Sequence, residues 1–291
     1  MSFRNNKDRL GPPPGDTSPP PTDTVQSPDA AAPPQPMAFS TPTEFVDLPS
    51  LGKFYGAGHP LHDCESVEIR YMTAKEEDIL TSKTLAKKGL TIDRLLSSVI
   101  VNGNIKPEEL LVGDRNALIV ATRVTGYGEE YETRVKCPSC DGNSKYSFNL
   151  SDANIFHGGA TSENEDVTAT ENGTFTVEAP HTKATVEMRL LTGKDEKLLA
   201  RAEETRKRKK MVETLTTSSL RMFIISVNGN QDPYYIDSFI ANAPAADARY
   251  IREAYKTVVP NIDLTQYYEC QACGHEQEME VPFTSDFFWP G

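Results

Sequence analysis

Apolar and polar positions recur along this chain in the same order twice. Residues 67–80 read VEIRYMTAKEEDIL and residues 186–199 read VEMRLLTGKDEKLL. Upstream, EFVDLPS (44–50) matches TFTVEAP (174–180); downstream, SVIVNGN (98–104) matches IISVNGN (224–230). Further on, RVKCPSC (134–140) matches YYECQAC (267–273). The separations drift between 119 and 133 residues, as loop-length changes between collinear elements would make them. Four matches in one order read as an internal duplication. Copy one covers 44–157, copy two covers 174–291, and the polar stretch 158–173 (GGATSENEDVTATENG) reads as a flexible linker.

The same elements are expected in each copy. An extended segment starts at Phe45 or Phe175, and a strand returns at Val67–Tyr71 or Thr185–Leu190. Thr73-Ala-Lys-Glu76 and Thr192-Gly-Lys-Asp195 place a threonine N-cap three residues before an acid, the capping-box spacing. A helix then runs to about Lys88, stopped by Gly89, and in copy two to about Lys210. A second helix is apolar at Ile92, Leu95, Leu96, Val99 and Ile100, and its counterpart at Leu215, Leu220, Phe223, Ile224 and Val227. A third runs near Asp114–Val124 and Ala245–Val258, the latter stopped by Pro260. Strand, C-x-x-C and strand close each copy. The expected fold is α+β: two quasi-equivalent repeats of strands and about three helices, each ending in a zinc-knuckle β-hairpin.

Composition separates out a third part. Of 21 prolines in 291 residues, 11 precede residue 46. Residues 1–43 hold almost no aliphatic side chains and cannot offset a backbone entropy cost of about 1–2 kcal/mol per residue. They read as a disordered arm, either a solubilising tail or a partner-docking arm anchored by Phe39 and Phe45. Thirty Lys and Arg against 42 Asp and Glu give a net charge of −12, which argues against wholesale binding to a phosphate backbone. No run suits a bilayer-spanning helix, and the N-terminus lacks the apolar stretch of a secretory signal, so no membrane insertion and a cytoplasmic site of synthesis are expected.

Four of the five cysteines form two pairs, Cys137-Pro-Ser-Cys140 and Cys270-Gln-Ala-Cys273. Two residues between cysteines let one tight turn present both thiolates, and zinc takes four such ligands in a tetrahedron. One pair is half a site; the duplication supplies the other half. A single structural Zn2+ held by Cys137, Cys140, Cys270 and Cys273 is therefore expected. A redox pair would sit at a helix N-terminus rather than between strands, and two metal-free pairs or a catalytic zinc remain alternatives. His275 and Cys64, the latter in HPLHDC beside His59 and His62, read as loop residues.

No P-loop, dinucleotide fingerprint, metalloprotease helix or nucleophile elbow occurs, and no triad or carboxylate pair suggests itself. No catalytic residue, small-molecule substrate or enzymatic activity is expected. The basic run Arg206-Lys-Arg-Lys-Lys210 reads as a solvated helix end, or as a contact for an acidic neighbour or nucleic acid; a zinc-ribbon nucleic-acid adaptor is the alternative function. The terminal Phe287-Phe288-Trp289 must pack on its own fold or on a neighbour.

Leu48-Pro-Ser-Leu-Gly-Lys-Phe-Tyr55-Gly, Val67-Glu-Ile-Arg-Tyr-Met-Thr-Ala-Lys-Glu-Glu77 and Ile79-Leu80 resemble the opening of the T-even-type bacteriophage baseplate protein family. Gly113-Asp-Arg115, Arg123-Val-Thr-Gly-Tyr-Gly128 and Val135-Lys-Cys-Pro-Ser-Cys140 continue the likeness, which covers about 44–150. These are hub or hub-assembly proteins of contractile-tailed phages. The resemblance implies a structural or assembly role in the tail baseplate, assembly in the host cytoplasm, and partners among other baseplate and tail proteins, including the central hub or the tape-measure end. Leu51, Phe54, Tyr55, Phe287, Phe288 and Trp289 are the expected partner-facing residues. Copy two lacks a counterpart of the LPSLGKFYG loop and of Gly126-Tyr-Gly128.

Overall fold

A computed structural model describes residues 40–160, 166–209, 215–281 and 287–288. The expected arm, residues 1–43, lies outside the described residues except for its last four. Strand β1 (Thr43–Asp47) pairs antiparallel with β2 (Ser66–Arg70), Val46 opposite Val67. Helix α1 (Ala74–Thr81) starts with a complete capping box: Glu76 accepts from the Thr73 N–H at 2.9 Å. Ser82 ends α1 and caps α2 (Lys83–Lys88), so the single helix expected here is two, because the serine hydroxyl accepts from Leu85 N–H and restarts the ladder. Gly89, at φ +64°, ends α2. Next come α3 (Thr91–Val99), α4 (Val112–Tyr127), the hairpin β3 (Glu130–Lys136) and β4 (Asn143–Asn149), and a short β5 (Asn154–Phe156).

Strands β6 (Val167–Ala169), β7 (Phe175–Glu178) and β8 (Thr185–Met188) follow. β6 falls inside the expected linker: its Val167 is buried and registers with Val177, so part of that polar stretch is sheet rather than tether. Helix α5 (Gly193–Arg208) has its own capping box on Thr192 and Asp195, then α6 (Leu215–Phe223) leads directly into β9 (Ile224–Val227). The apolar run Ile224–Val227 was expected as helix; it pairs with β8 instead, and four consecutive half- or fully buried residues suit a sheet edge lying on the core. Helix α7 (Pro233–Asn242) has no counterpart in the sequence reading, although Asp232 as N-cap and Pro233 in the first turn announce it. Helix α8 (Ala245–Val258), β10 (Asn261–Asp263) and the hairpin β11 (Thr265–Glu269) and β12 (Glu276–Glu280) are the last described elements. The fold is thus α+β, with eight described helices, one four-stranded sheet ordered β6-β7-β8-β9, and four two-stranded sheets.

The same polar contacts recur in each half. Arg70 reaches Glu76 at 3.4 Å after β2, and Arg189 clamps Asp195 through two 2.8 Å bonds after β8. Asp114, in the first turn of α4, accepts from the Ser50 N–H and hydroxyl at 2.8 and 2.6 Å. Asp247, in the first turn of α8, accepts from His181 N–H at 3.0 Å and from the Thr182 N–H and hydroxyl at 2.9 and 2.8 Å. Both carboxylates are fully buried, so each holds the loop between two strands onto a helix start.

The halves share one core rather than meeting at a seam. The Phe54 and Phe175 rings sit 5.6 Å apart. Val112 N–H donates to Leu191 O and Gly193 N–H to Leu110 O, at 3.0 and 2.9 Å. Arg115 pairs with both Asp93 and Glu196, and Lys197 crosses to Asp93. β10 of the second half pairs with β5 of the first. At Gly113, α4 passes so close to Pro260 that a Cβ would lie 1.9 Å from the Pro260 carbonyl oxygen. Among the described residues no helix is long and apolar enough to cross a membrane.

Candidate metal centre

Each C-x-x-C lies at the tip of a hairpin, where the chain must reverse within a few residues. In the first, Cys137 N–H donates to Gly142 O and Asp141 N–H to Cys137 O, with Asp141 at φ +56°. In the second, Cys270 N–H donates to His275 O and Gly274 N–H to Cys270 O, with Gly274 at φ +67°. The left-handed residue sits one place after the second cysteine in both, so the two knuckles are the same turn. In each pair the first cysteine is buried and the second exposed.

The hairpins are held side by side by their flanks. Tyr146 Oη donates to Tyr267 O at 2.9 Å, Asn149 N–H donates to Gln266 Oε1 at 3.1 Å, and the Tyr146 and Tyr268 rings meet edge-on at 5.1 Å. Tyr268 is fully buried beneath the knuckles. This brings all four sulfurs within 4.8 Å of one another. Cys137 Sγ lies 3.8 Å from Cys273 Sγ, and Cys140 Sγ lies 3.8 Å from Cys270 Sγ. Four thiolates about 2.3 Å from a tetrahedral ion stand roughly 3.8 Å apart along each edge. The four cysteines can therefore hold a metal ion, and the donor set fits a zinc-type cation in both number and spacing. The Ala272 and Cys273 backbone N–H groups pointing at Cys270 lower its thiol pKa, while the neighbouring sulfurs push Cys273 up against the His275 N–H, so without a metal the pair favours a thiolate at Cys270 and a thiol at Cys273. With every donor a cysteine, a four-coordinate ion would have no open position for water.

The His275 side chain is outside the cluster, and its backbone serves the knuckle: the carbonyl accepts from Cys270 N–H and the N–H points at the Cys273 sulfur. His59, His62 and Cys64 form no metal cluster among the described residues: the His62 ring bonds Tyr55 O, the His59 ring stacks on Tyr55, and Cys64 Sγ faces Pro60 O. The residues expected to face a partner fare unevenly. Tyr55 is 6% exposed, and its hydroxyl donates to Asp114 at 2.7 Å while accepting from Leu111 N–H at 2.9 Å. Phe287 and Phe288 are also buried; Phe287 stacks edge-on against Tyr131, and its carbonyl accepts from Arg123 Nε at 2.8 Å. These three side chains are used up in the chain's own core, which removes them as partner surface. Phe54 and Leu51 are half-buried, and Trp289 lies outside the described residues.

Sequence reasoning missed the groups that hold the hairpins together, Tyr146, Gln266 and Tyr268. Their alternation with polar neighbours in both hairpins was the available signal. In the basic run, Arg206 bonds Glu203 and Ser218 and Arg208 lies beside Glu204, while Lys210 lies outside the described residues.

The family model described as T4 bacteriophage base plate protein matches residues 41–177, from just before β1 to the middle of β7. This segment belongs to the T4-type phage baseplate family. It contains the first knuckle and the whole network around Asp114. No curated protein and no solved structure matches the chain.

Proposed function

We propose that the chain is a non-enzymatic structural protein of the phage tail baseplate, placed in the hub region and binding neighbouring tail proteins there. The baseplate match over 41–177 carries this reading. Beside it stands the chemistry of the polar residues: the buried carboxylates Asp114 and Asp247 cap loops, and the paired Arg189 and Asp195 brace a helix start. These groups are engaged in holding elements together, in keeping with a scaffold. The central hub or the end of the tape measure is the proposed partner, the tail baseplate of the virion the proposed location, and the host cytoplasm the proposed place of assembly.

The scaffold is one module used twice. The recurrence of Arg70–Glu76 as Arg189–Asp195, of Asp114 as Asp247, and of one knuckle turn as the other supports duplication. Cys137, Cys140, Cys270 and Cys273 would hold one structural Zn2+, which supplies a cross-link between positions far apart in sequence. Structural zinc in small peptides is linked to folding by about 10–16 kcal/mol. Cross-linking and mass spectrometry of purified phage particles tests the location: the chain should be recovered in the tail, linked to hub or tape-measure residues. Absence from particles and from baseplate assembly intermediates would refute the reading.

A further inference from the structure

We propose that the outer edge of β1 is a docking site for an extended segment of a neighbouring protein, one alternating basic and apolar residues, which completes the first sheet in trans. In the second half, β7 and β8 are flanked by β9 on one side and β6 on the other. In the first half, β1 and β2 occupy the places of β7 and β8, and the β9 place is taken by Ile100 and Val101: Ile69 bridges Ile100, and Val101 N–H donates to Glu68 O at 3.1 Å. Among the described residues nothing occupies the β6 place. The strand register aligns Val46 with Val177 and residue 44 with residue 175, one residue away from the sequence match of Phe45 with Phe175, so Thr43, Phe45 and Asp47 correspond to residues 174, 176 and 178. Leu48 N–H donates to Glu65 O and Tyr71 N–H to Pro42 O, so even-numbered residues bond β2 and the odd-numbered ones turn their N–H and C=O outward. A strand edge of this kind is a ready template for another chain.

The chain's own upstream segment cannot fill the gap as β6 does. The β6–β7 turn needs Gly173 at φ +72° and uses the Gly173 N–H to reach Thr170 O at 3.2 Å. The register puts Pro42 in that position. Proline is fixed near φ −65° and has no N–H, so the same hairpin is closed to it on both counts.

Side chains indicate what would dock. Phe45 is 68% exposed and lies on one face with Glu68, directly opposite it, and with Asp47. Half-buried Glu68 and exposed Asp47 are joined on the ribbon by the exposed acids Glu44 and Glu65, and the one cation of the two strands, Arg70, is held by Glu76. Four carboxylates disfavour a second copy pairing edge to edge, since each β1 brings its own Glu44 and Asp47. A lysine or arginine opposite Phe45 would lay its stem on the ring and its charge near Glu68. An apolar residue on the other face would extend the surface of half-buried Val46.

This deepens the baseplate reading and rests on the two-module alignment. The test measures residue-resolved amide hydrogen exchange in the full chain, with and without an octapeptide alternating Lys and Val. The Thr43, Phe45 and Asp47 amides should exchange fast alone and at least tenfold slower with saturating peptide, while a Glu-Val octapeptide leaves them fast. Phe45→Pro removes one outward N–H without touching a β1–β2 bond, and Phe45→Lys adds a repelling charge; each should weaken peptide binding at least tenfold. Amides already slow in the dilute chain would assign the edge to the chain's own arm, and slowing that grows with chain concentration would assign it to a second copy. Either result, or equal binding of both peptides, overturns the proposal. A chain absent from particles but protected by the Lys-Val peptide would refute the baseplate location alone.

Discussion

Asp114→Ala probes the link between loop and helix that recurs in both halves. The carboxylate is fully buried and takes three donors: Ser50 N–H at 2.8 Å, Ser50 Oγ at 2.6 Å and Tyr55 Oη at 2.7 Å. Alanine would strand them. The serine hydroxyl can turn elsewhere, but the Ser50 amide is fixed and the Tyr55 hydroxyl hydrogen is confined near its ring plane. Two buried donors without partners cost about 2–6 kcal/mol. Part is recovered, because burial holds the Asp114 pKa above the ordinary carboxylate range even against those three hydrogen bonds, so the ionised group itself carries a cost at neutral pH. A net loss of about 2–4 kcal/mol is expected, a large share of the 5–15 kcal/mol typical of a folded domain. Urea unfolding followed by circular dichroism at pH 7 measures it. The sign with pH is also fixed. Between about pH 4, where an unfolded aspartate titrates, and the higher folded pKa, the folded chain binds the extra proton. Wild-type stability should therefore fall as pH rises through that window, and D114A should lack that slope. A loss below about 1 kcal/mol with an unchanged denaturant slope would refute the reasoning.

Three further outcomes follow from the packing. Gly113→Ala, whose Cβ would lie 1.9 Å from Pro260 O, should cost about 3 kcal/mol or more in thermal or urea unfolding, whereas Gly56→Ala, with nothing within 4 Å, should change stability by less than about 0.5 kcal/mol. Arg123→Met removes bonds to the Phe287, Gly128 and Glu130 carbonyls at 2.8, 2.9 and 3.1 Å; limited proteolysis should then release the C-terminal residues at least tenfold faster. Arg189→Lys breaks the two-bond clamp on Asp195. Burial pushes Asp195 up, but Arg189 and Thr192 together hold it below the usual range, so its contribution is present above about pH 4 and lost as pH falls through the folded value. The variant should show a shallower acid limb between pH 5 and 2 in thermal unfolding.

The parts of the fold with local signals were the parts legible in sequence. Thr73 and Thr192 gave helix starts because a capping box is a local signal with a fixed spacing. The four cysteines were legible as one cluster because two knuckles in equivalent positions imply a shared site, although 129 residues separate Cys140 from Cys270. Ile224–Val227 misled because a short apolar run fits a buried helix and a buried strand equally, and only pairing with β8 decides it. β6 was hidden in a polar stretch because an edge strand of three residues buries a single side chain, Val167. Tyr55 and Phe287 looked like surface anchors because their partners, Asp114, Leu111 and Arg123, are reached only through tertiary contacts more than 50 residues away in sequence.

The central claim is that one zinc ion clasps the two halves through four cysteines. Metal analysis of the purified full chain tests it most directly, read together with Cys140→Ser and Cys273→Ser. The account predicts about one zinc per wild-type chain and strongly reduced zinc in either variant, since each knuckle alone supplies half a tetrahedron. Two zincs per chain, or a folded chain free of metal with the exposed Cys140 and Cys273 reactive toward thiol reagents, would contradict it.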